Sequence, residues 1–251
     1  MSISIESGNT STRSAAGEFE IVDLKQVFFG LIPSRFPPIT LYERITRPDR
    51  GEAIAELEAM TNPRLREKAR LLNNVGAVDV DSPKLQNWNH APFAYLNPEG
   101  TRYFDSTTPV LELFDDLQTA LAVSVGRRET FLARTGEKPM GLDMRVLSRP
   151  VTGRFADLTA WDPDMDQAER WRRAAAVREL GLDGVLFRPA ERPSAQGVAI
   201  LNRDVLGRAV QGDHFRYVWD GQRIRSLYGF RDGVTLQPDD LRSSSPTSDL
   251  G

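Results

Sequence analysis

The side chains best equipped for chemistry in this chain are arginines: 28 of its 32 basic residues are Arg and only four are Lys. A guanidinium clamps a phosphate through paired N–H donors where an ammonium acts as a point charge. A bias in codon usage would give the same surplus, so the count alone decides nothing. Other reagents are scarce. Cys is absent, which excludes disulfides, thiolate zinc sites and a thiol nucleophile. The only histidines are His90 and His214, without an HExxH pair, too few for a histidine-rich metal site or a conventional serine triad. Asp162, Asp164 and Asp166 in the run DPDMD resemble the opening of a calcium loop. Gln167, however, stands where the turn glycine belongs and Arg173 where the closing Glu belongs, so the run reads as a helix N-terminus and no metal is expected. Neither a P-loop nor a GxGxxG fingerprint is present.

The elements that must position these groups belong to one α+β domain, a mixed sheet with flanking helices. Of the 251 residues, 1–18 and 236–251 are rich in Ser, Thr and Gly and are expected as disordered tails around a domain at 28–235. No repeat and no linker long enough to separate two cores interrupts it. Strands are expected at 39–46, 110–114, 144–147, 155–158, 184–188 and 197–201. Residues 215–219 and 223–228 should form a hairpin across Asp220-Gly221. Helical spacing marks 52–72, broken at Asn62-Pro63, then 117–133, and 166–180 capped by Asp166 and ended by Gly181. Residues 77–101 hold Pro83, Pro92, Pro98 and Gly100, which predicts an irregular segment with at most a short strand at 93–96.

Charge and hydropathy exclude two classes of partner. The net charge is −3, so nucleic acid is not expected. Arg127-Arg128 and Arg170-Arg172-Arg173 then read as solvated helix faces, and Trp88, Trp161, Trp171 and Trp219 as core or rim residues. No apolar run approaches the roughly 18–20 residues of a membrane span, and the first twenty residues lack the pattern of a secretory signal. A cytoplasmic protein without membrane contact is expected.

One ordered set of motifs stands above this background. It runs from Leu41-Tyr42-Glu43-Arg44-Ile45 to Pro98-Glu99-Gly100-Thr101-Arg102-Tyr103-Phe104-Asp105. Leu117-Gln118-Thr119-Ala120-Leu121 follows, then Gly181-Leu182-Asp183-Gly184-Val185-Leu186-Phe187-Arg188. In that order the pieces resemble the RES-domain family, named for its Arg, Glu and Ser motif residues, over 28–205. The resemblance implies an ADP-ribosyltransferase-like fold. It also implies NAD as substrate, with no other cofactor, broken at its nicotinamide–ribose bond by water or phosphate. Family members are commonly toxins held inactive by a partner antitoxin. Because nicotinamide leaves as a neutral molecule, such a site needs no strong general acid. It must hold the pyrophosphate, seat the nicotinamide and stabilise an oxocarbenium-like transition state.

Carried over residue by residue, Arg44 and Arg102 match the family's two arginines and would clamp phosphates, with Tyr103 beside them on the substrate. Tyr103 also shifts the spacing to Phe104-Asp105 by one. Three positions depart: Glu112 stands at the motif Tyr, Val123 at the motif Glu and Pro189 at the motif Ser. Val123 carries no charge, and Pro189 has neither hydroxyl nor backbone donor. Two readings stay open. Either the catalytic carboxylate has moved, to Glu112 on the strand facing the helix, giving a glycohydrolase or phosphorylase, or the site is a silent nucleotide-binding or protein-interaction module. Glu112 as an exposed strand residue without catalytic contact belongs to the second.

Overall fold

The computed structural model describes residues 11–13, 19–34 and 86–246. The expected strand at 39–46 with its Arg44, and the helical stretch 52–72, lie outside the described residues. Among the described residues nine strands make one mixed sheet in the order β1-β2-β3-β6-β5-β4-β7-β8-β9, with a second pairing of β2 to β4. The strands are β1 (Ser11–Arg13), β2 (Glu20–Pro33), β3 (Leu111–Phe114), β4 (Met140–Asp157), β5 (Gly184–Phe187), β6 (Gly197–Ile200), β7 (Val210–Trp219), β8 (Ile224–Gly229) and β9 (Thr235–Leu236). The helices are α1 (Asn87–Ala94), α2 (Leu117–Thr135) and α3 (Gln167–Glu179).

Two long strands organise the rest. β2 pairs with β4 antiparallel along all 14 of its residues, from Glu20 opposite Asp157 to Pro33 opposite Met144. On its other edge the first half of β4 pairs antiparallel with β7 and its last residues pair parallel with β5. Since β3 joins both β2 and β6, and β6 joins β5, the pairings β2-β3-β6-β5-β4 close on themselves. Within this circuit β5 and β6 are buried on both faces and are apolar throughout. One face packs Phe28, Leu113, Val151, Phe155, Leu186 and Ile200 together. The other meets α2 and α3 through Phe114, Phe187, Val123, Ala174 and Val177. Farther along, β7 and β8 bury Tyr217, Trp219 and Leu227 against Leu121, Val125 and Leu132 of α2.

The helix ends follow their local chemistry. Asp116 caps α2, its carboxylate accepting from the Thr119 N–H at 2.7 Å and the Thr119 hydroxyl at 2.8 Å. Asp166 caps α3 by accepting from the backbone of Ala168 and Glu169, while the Glu169 carboxylate turns to Arg172 and Arg173. Among the described residues no helix is long and apolar enough to cross a membrane.

Several expectations need correction. Residues 93–96 are not a strand: Phe93 and Ala94 close α1, which carries Pro92 inside it. A proline there supplies no N–H to the carbonyl four residues back. That carbonyl, Trp88 O, instead accepts from Arg149 Nη1 at 3.2 Å, a substitute donor from β4 that lets the helix survive its proline. The strands expected at 144–147 and 155–158 are parts of the single strand β4. β2 was not expected at all, and with β1 it places sheet structure within and beyond the supposed tail 1–18. The C-terminal tail is overturned through residue 246. Leu241 is fully buried, and Gln118 and Arg192 donate to the carbonyls of Leu241 and Ser243.

Asp115, between β3 and α2, yields a prediction. Burial pushes its carboxyl up to about 6, reinforced by the adjacent Asp116 charge, and its Oδ1 has no hydrogen-bond partner. A folded-state value raised above the unfolded one favours the folded state fully below the ordinary Asp range. That contribution is lost as pH rises through about 6. Asp115→Asn removes the loss, so its stability relative to the parent chain should grow between about pH 4.5 and about pH 7.5. Urea midpoints of both proteins at the two pH values test this, and a pH-independent difference would contradict it.

Candidate functional site

The loop from Asn97 to Thr108 is secured before it delivers any side chain. The Gly100 N–H donates to Asn97 O at 2.9 Å and the Asn97 amide donates back to Gly100 O. Gly100 has φ +70°, and a Cβ there would stand 2.7 Å from the Trp171 ring and 2.8 Å from Phe104 O, so the position requires glycine. Trp171 on α3 donates through its indole N–H to Thr101 O at 2.8 Å. Thr101 N–H donates to Phe104 O at 2.6 Å, and Phe104 N–H donates to Thr101 Oγ1 at 3.2 Å. Arg102 and Tyr103 occupy the tip of that closed turn.

Both side chains fold over β5. The Tyr103 ring lies 5.1 Å from that of Phe187 and 6.2 Å from Trp161, and the Arg170 guanidinium sits 5.6 Å above it. Burial pushes the Tyr103 hydroxyl up, opposed by the charges of Arg102 and Arg170 and reinforced by that of Glu112. The Arg102 guanidinium stands 5.4 Å from the Phe187 ring centre, a cation–π contact. Its Nη2 donates to both oxygens of Glu191, at 3.1 and 2.9 Å. Glu191 belongs to the turn that Pro189 O closes by accepting from the Arg192 N–H at 3.2 Å.

Glu112 is not an exposed strand residue. In β3 it lies opposite Ala199 of β6, on the face it shares with Phe114, and its side chain is 2 % exposed. Oε2 is ion-paired with Arg127 of α2, whereas Oε1 is buried without a hydrogen-bond partner. Val123, one turn before Arg127, is 1 % exposed in the apolar cluster that includes Phe114 and Phe187. Burying a carboxylate costs several kcal/mol unless it is paired, so the Arg127 contact is what makes Glu112 tolerable there.

The structure gathers Arg102 and Tyr103 on Phe187 and sets Glu112 near enough for its charge to bear on Tyr103, while Arg44 lies outside the described residues. Sequence reading missed Arg127, Arg170 and Glu191. The two arginines were assigned to solvated faces, yet one neutralises Glu112 and the other covers Tyr103. Helical phase was an available signal: Arg127 follows Val123 by four residues and must share its face. Nothing local marks Glu191. Chemically, the cluster offers a cation on an aromatic platform, an aromatic pair able to seat a flat ring, and a carboxylate with one unused oxygen. A hollow of about 450 Å³ bordered by Ser34, Asp143, His214, Phe230 and Arg231 lies elsewhere and shares no residue with it. Among the described residues no group of three or more His, Asp or Glu side chains is placed to hold a metal ion.

Comparison with known proteins supports the resemblance to the RES-domain family. The family model described as RES domain matches residues 79–220. The match starts later than the sequence resemblance and leaves Arg44 outside it. The chain is also 53 % identical over 221 residues to Uncharacterized protein y4oC of Sinorhizobium fredii (strain NBRC 101917 / NGR234), covering 88 % of this chain and 95 % of that protein.

The Glu112–Arg127 pair generates a stability prediction. Arg127→Ala should destabilise the fold by about 2–3 kcal/mol, because it leaves a buried charge unpaired, the half-exposed Arg127 keeping the cost below that of a fully buried pair. Adding Glu112→Gln should recover most of the loss. A double-mutant cycle in urea checks this, and simple additivity of the two changes would refute the pairing argument.

Proposed function

The chain belongs to the RES-domain family, and on that premise we propose that it binds NAD at the Arg102–Tyr103–Glu112 cluster and cleaves the nicotinamide–ribose bond. The observation that carries the reading is the buried Glu112 Oε1, a carboxylate oxygen without a partner, on a residue whose charge bears on the Tyr103 hydroxyl. In the proposed step the C1′–N bond breaks, its electron pair returns to the pyridinium nitrogen and nicotinamide departs neutral. The ribosyl oxocarbenium that forms faces Glu112, and water or phosphate adds at C1′, water losing a proton. Arg102 grips the pyrophosphate, and Tyr103 with Phe187 seats the nicotinamide. Glu112 takes over the role of the carboxylate that Val123 lacks. Its neutralising partner Arg127 holds one oxygen in place and leaves the other directed elsewhere. In the absence of a ligand Glu191 occupies Arg102, so the pyrophosphate must displace it.

A second reading, a silent nucleotide-binding relative, is favoured by Val123, which is buried among apolar side chains where the family has Glu.

Nicotinamide release from NAD by the purified chain, with phosphate present and absent, tests the first reading. Glu112→Gln should slow release about 10²–10³-fold by withdrawing charge stabilisation from the transition state. Arg102→Ala should act mainly by raising KM, and Glu191→Gln should lower it. Absence of release under both conditions sinks cleavage, and calorimetric binding of intact NAD in that case selects the second reading.

A further inference from the structure

On the face of β4 turned away from α2, two arginines are buried with no acid paired to either among the described residues. Arg145 is 6 % exposed and Arg149 2 % exposed. Four residues apart on one strand, they share a face, and both reach the start of α1. Arg145 lies 5.8 Å from the Trp88 ring centre and donates from Nη2 to Ser34 O at 3.0 Å. Arg149 donates from Nη1 to Trp88 O at 3.2 Å and to Asn89 Oδ1 at 2.9 Å. Three further nitrogens, Arg145 Nε, Arg145 Nη1 and Arg149 Nε, are buried and have no acceptor.

That is an expensive arrangement. An unsatisfied buried donor costs about 1–3 kcal/mol, and a buried guanidinium without a counter-charge costs more. Each acceptor these arginines do have is a carbonyl oxygen, from a peptide group or the Asn89 amide, which satisfies an N–H but does not neutralise a charge. Among the described residues no carboxylate pairs with either. In keeping with this, burial lowers the Arg149 guanidinium to about 10 with no opposing contribution from an acid.

We propose that Arg145 and Arg149, with the Trp88 ring beside them, form a binding site for a dianionic phosphate group. Two positive charges call for two negative ones, and several unused N–H donors call for an acceptor with oxygens on more than one side, which a tetrahedral phosphate supplies and a single carboxylate does not. Ser34 links Arg145 to a neighbouring hollow. Its carbonyl accepts from Arg145, while its hydroxyl bonds the ring of His214, a wall residue of the hollow of about 450 Å³. The site is separate from the Arg102 cluster, because Arg149 lies opposite Phe28, whose ring packs on the face away from Tyr103 and Phe187. A phosphate there ties β4 to α1, and it either stands alone or heads a larger phosphomonoester.

Thermal unfolding of the full chain with inorganic phosphate, against chloride at matched ionic strength, is the test. Saturating phosphate should raise Tm by roughly 3–8 °C beyond chloride. Arg145→Gln and the charge-keeping Arg149→Lys should each lose most of that shift, and Arg102→Ala should keep it. Glycerol phosphate distinguishes the two sources: a shift at lower concentration than inorganic phosphate identifies the head of a larger ligand, and a shift with inorganic phosphate only identifies a free ion. Because either substitution can impair folding, calorimetric titration of the unsubstituted chain with phosphate gives an independent reading. The proposal is overturned if phosphate does no more than chloride and gives no binding heat, if both arginine variants retain the shift, or if Arg102→Ala abolishes it.

Discussion

The antiparallel pairing of β2 with β4 is the constraint on which this molecule rests. β4 has two edges, and β2 occupies one of them from Met144 to Asp157. The other edge is divided, its first part given to β7 and its last three paired residues to β5. The division lets one strand belong to a hairpin assembly on one side and a closed circuit of short strands on the other. Every side chain in the candidate site hangs from that circuit or from what packs on it. Phe187 stands on β5, Glu112 on β3, Arg127 on the helix that follows β3, and Arg102 on a loop fastened to α3 by Trp171. Loss of the β2–β4 register would move these groups apart without altering any of them.

Within the site, charge is handled by exchange rather than by vacancy. Arg102 holds Glu191, and Glu112 holds Arg127. A buried ion pair contributes little net stability, because desolvation offsets most of the attraction, but breaking one side of it is costly. Under the proposed function, an anion that reaches Arg102 replaces a carboxylate that already satisfies the guanidinium. Its advantage must come from greater charge and from contacts elsewhere on the ligand.

Much of this was legible in the residues. The helix cap at Asp166, the Asp220-Gly221 hairpin and the apolar runs of β5 and β6 announce themselves because their causes are local. The order of the motifs singled out Arg102, Tyr103 and Glu112 as candidates. The burial of Glu112 was not readable, since it depends on an arginine fifteen residues away that composition suggested was solvated. β2 was missed because Asp23 and Lys25 punctuate its first half, whereas Val27, Phe28 and Phe29 run together in its second, and neither half keeps a clean alternation. α1 was missed because Pro92 argued against it, and the donor that offsets the proline comes from β4, 57 residues further on.

That last dependence reaches beyond a single helix. Pro92 leaves Trp88 O without its helical donor and Arg149 supplies another, so the two positions are chemically linked across 57 residues. Among descendants of a common ancestor the proline should be kept only where the arginine is: a lineage that lost Arg149 would leave Trp88 O without a donor. An alignment in which the two vary independently would show that the bond is incidental.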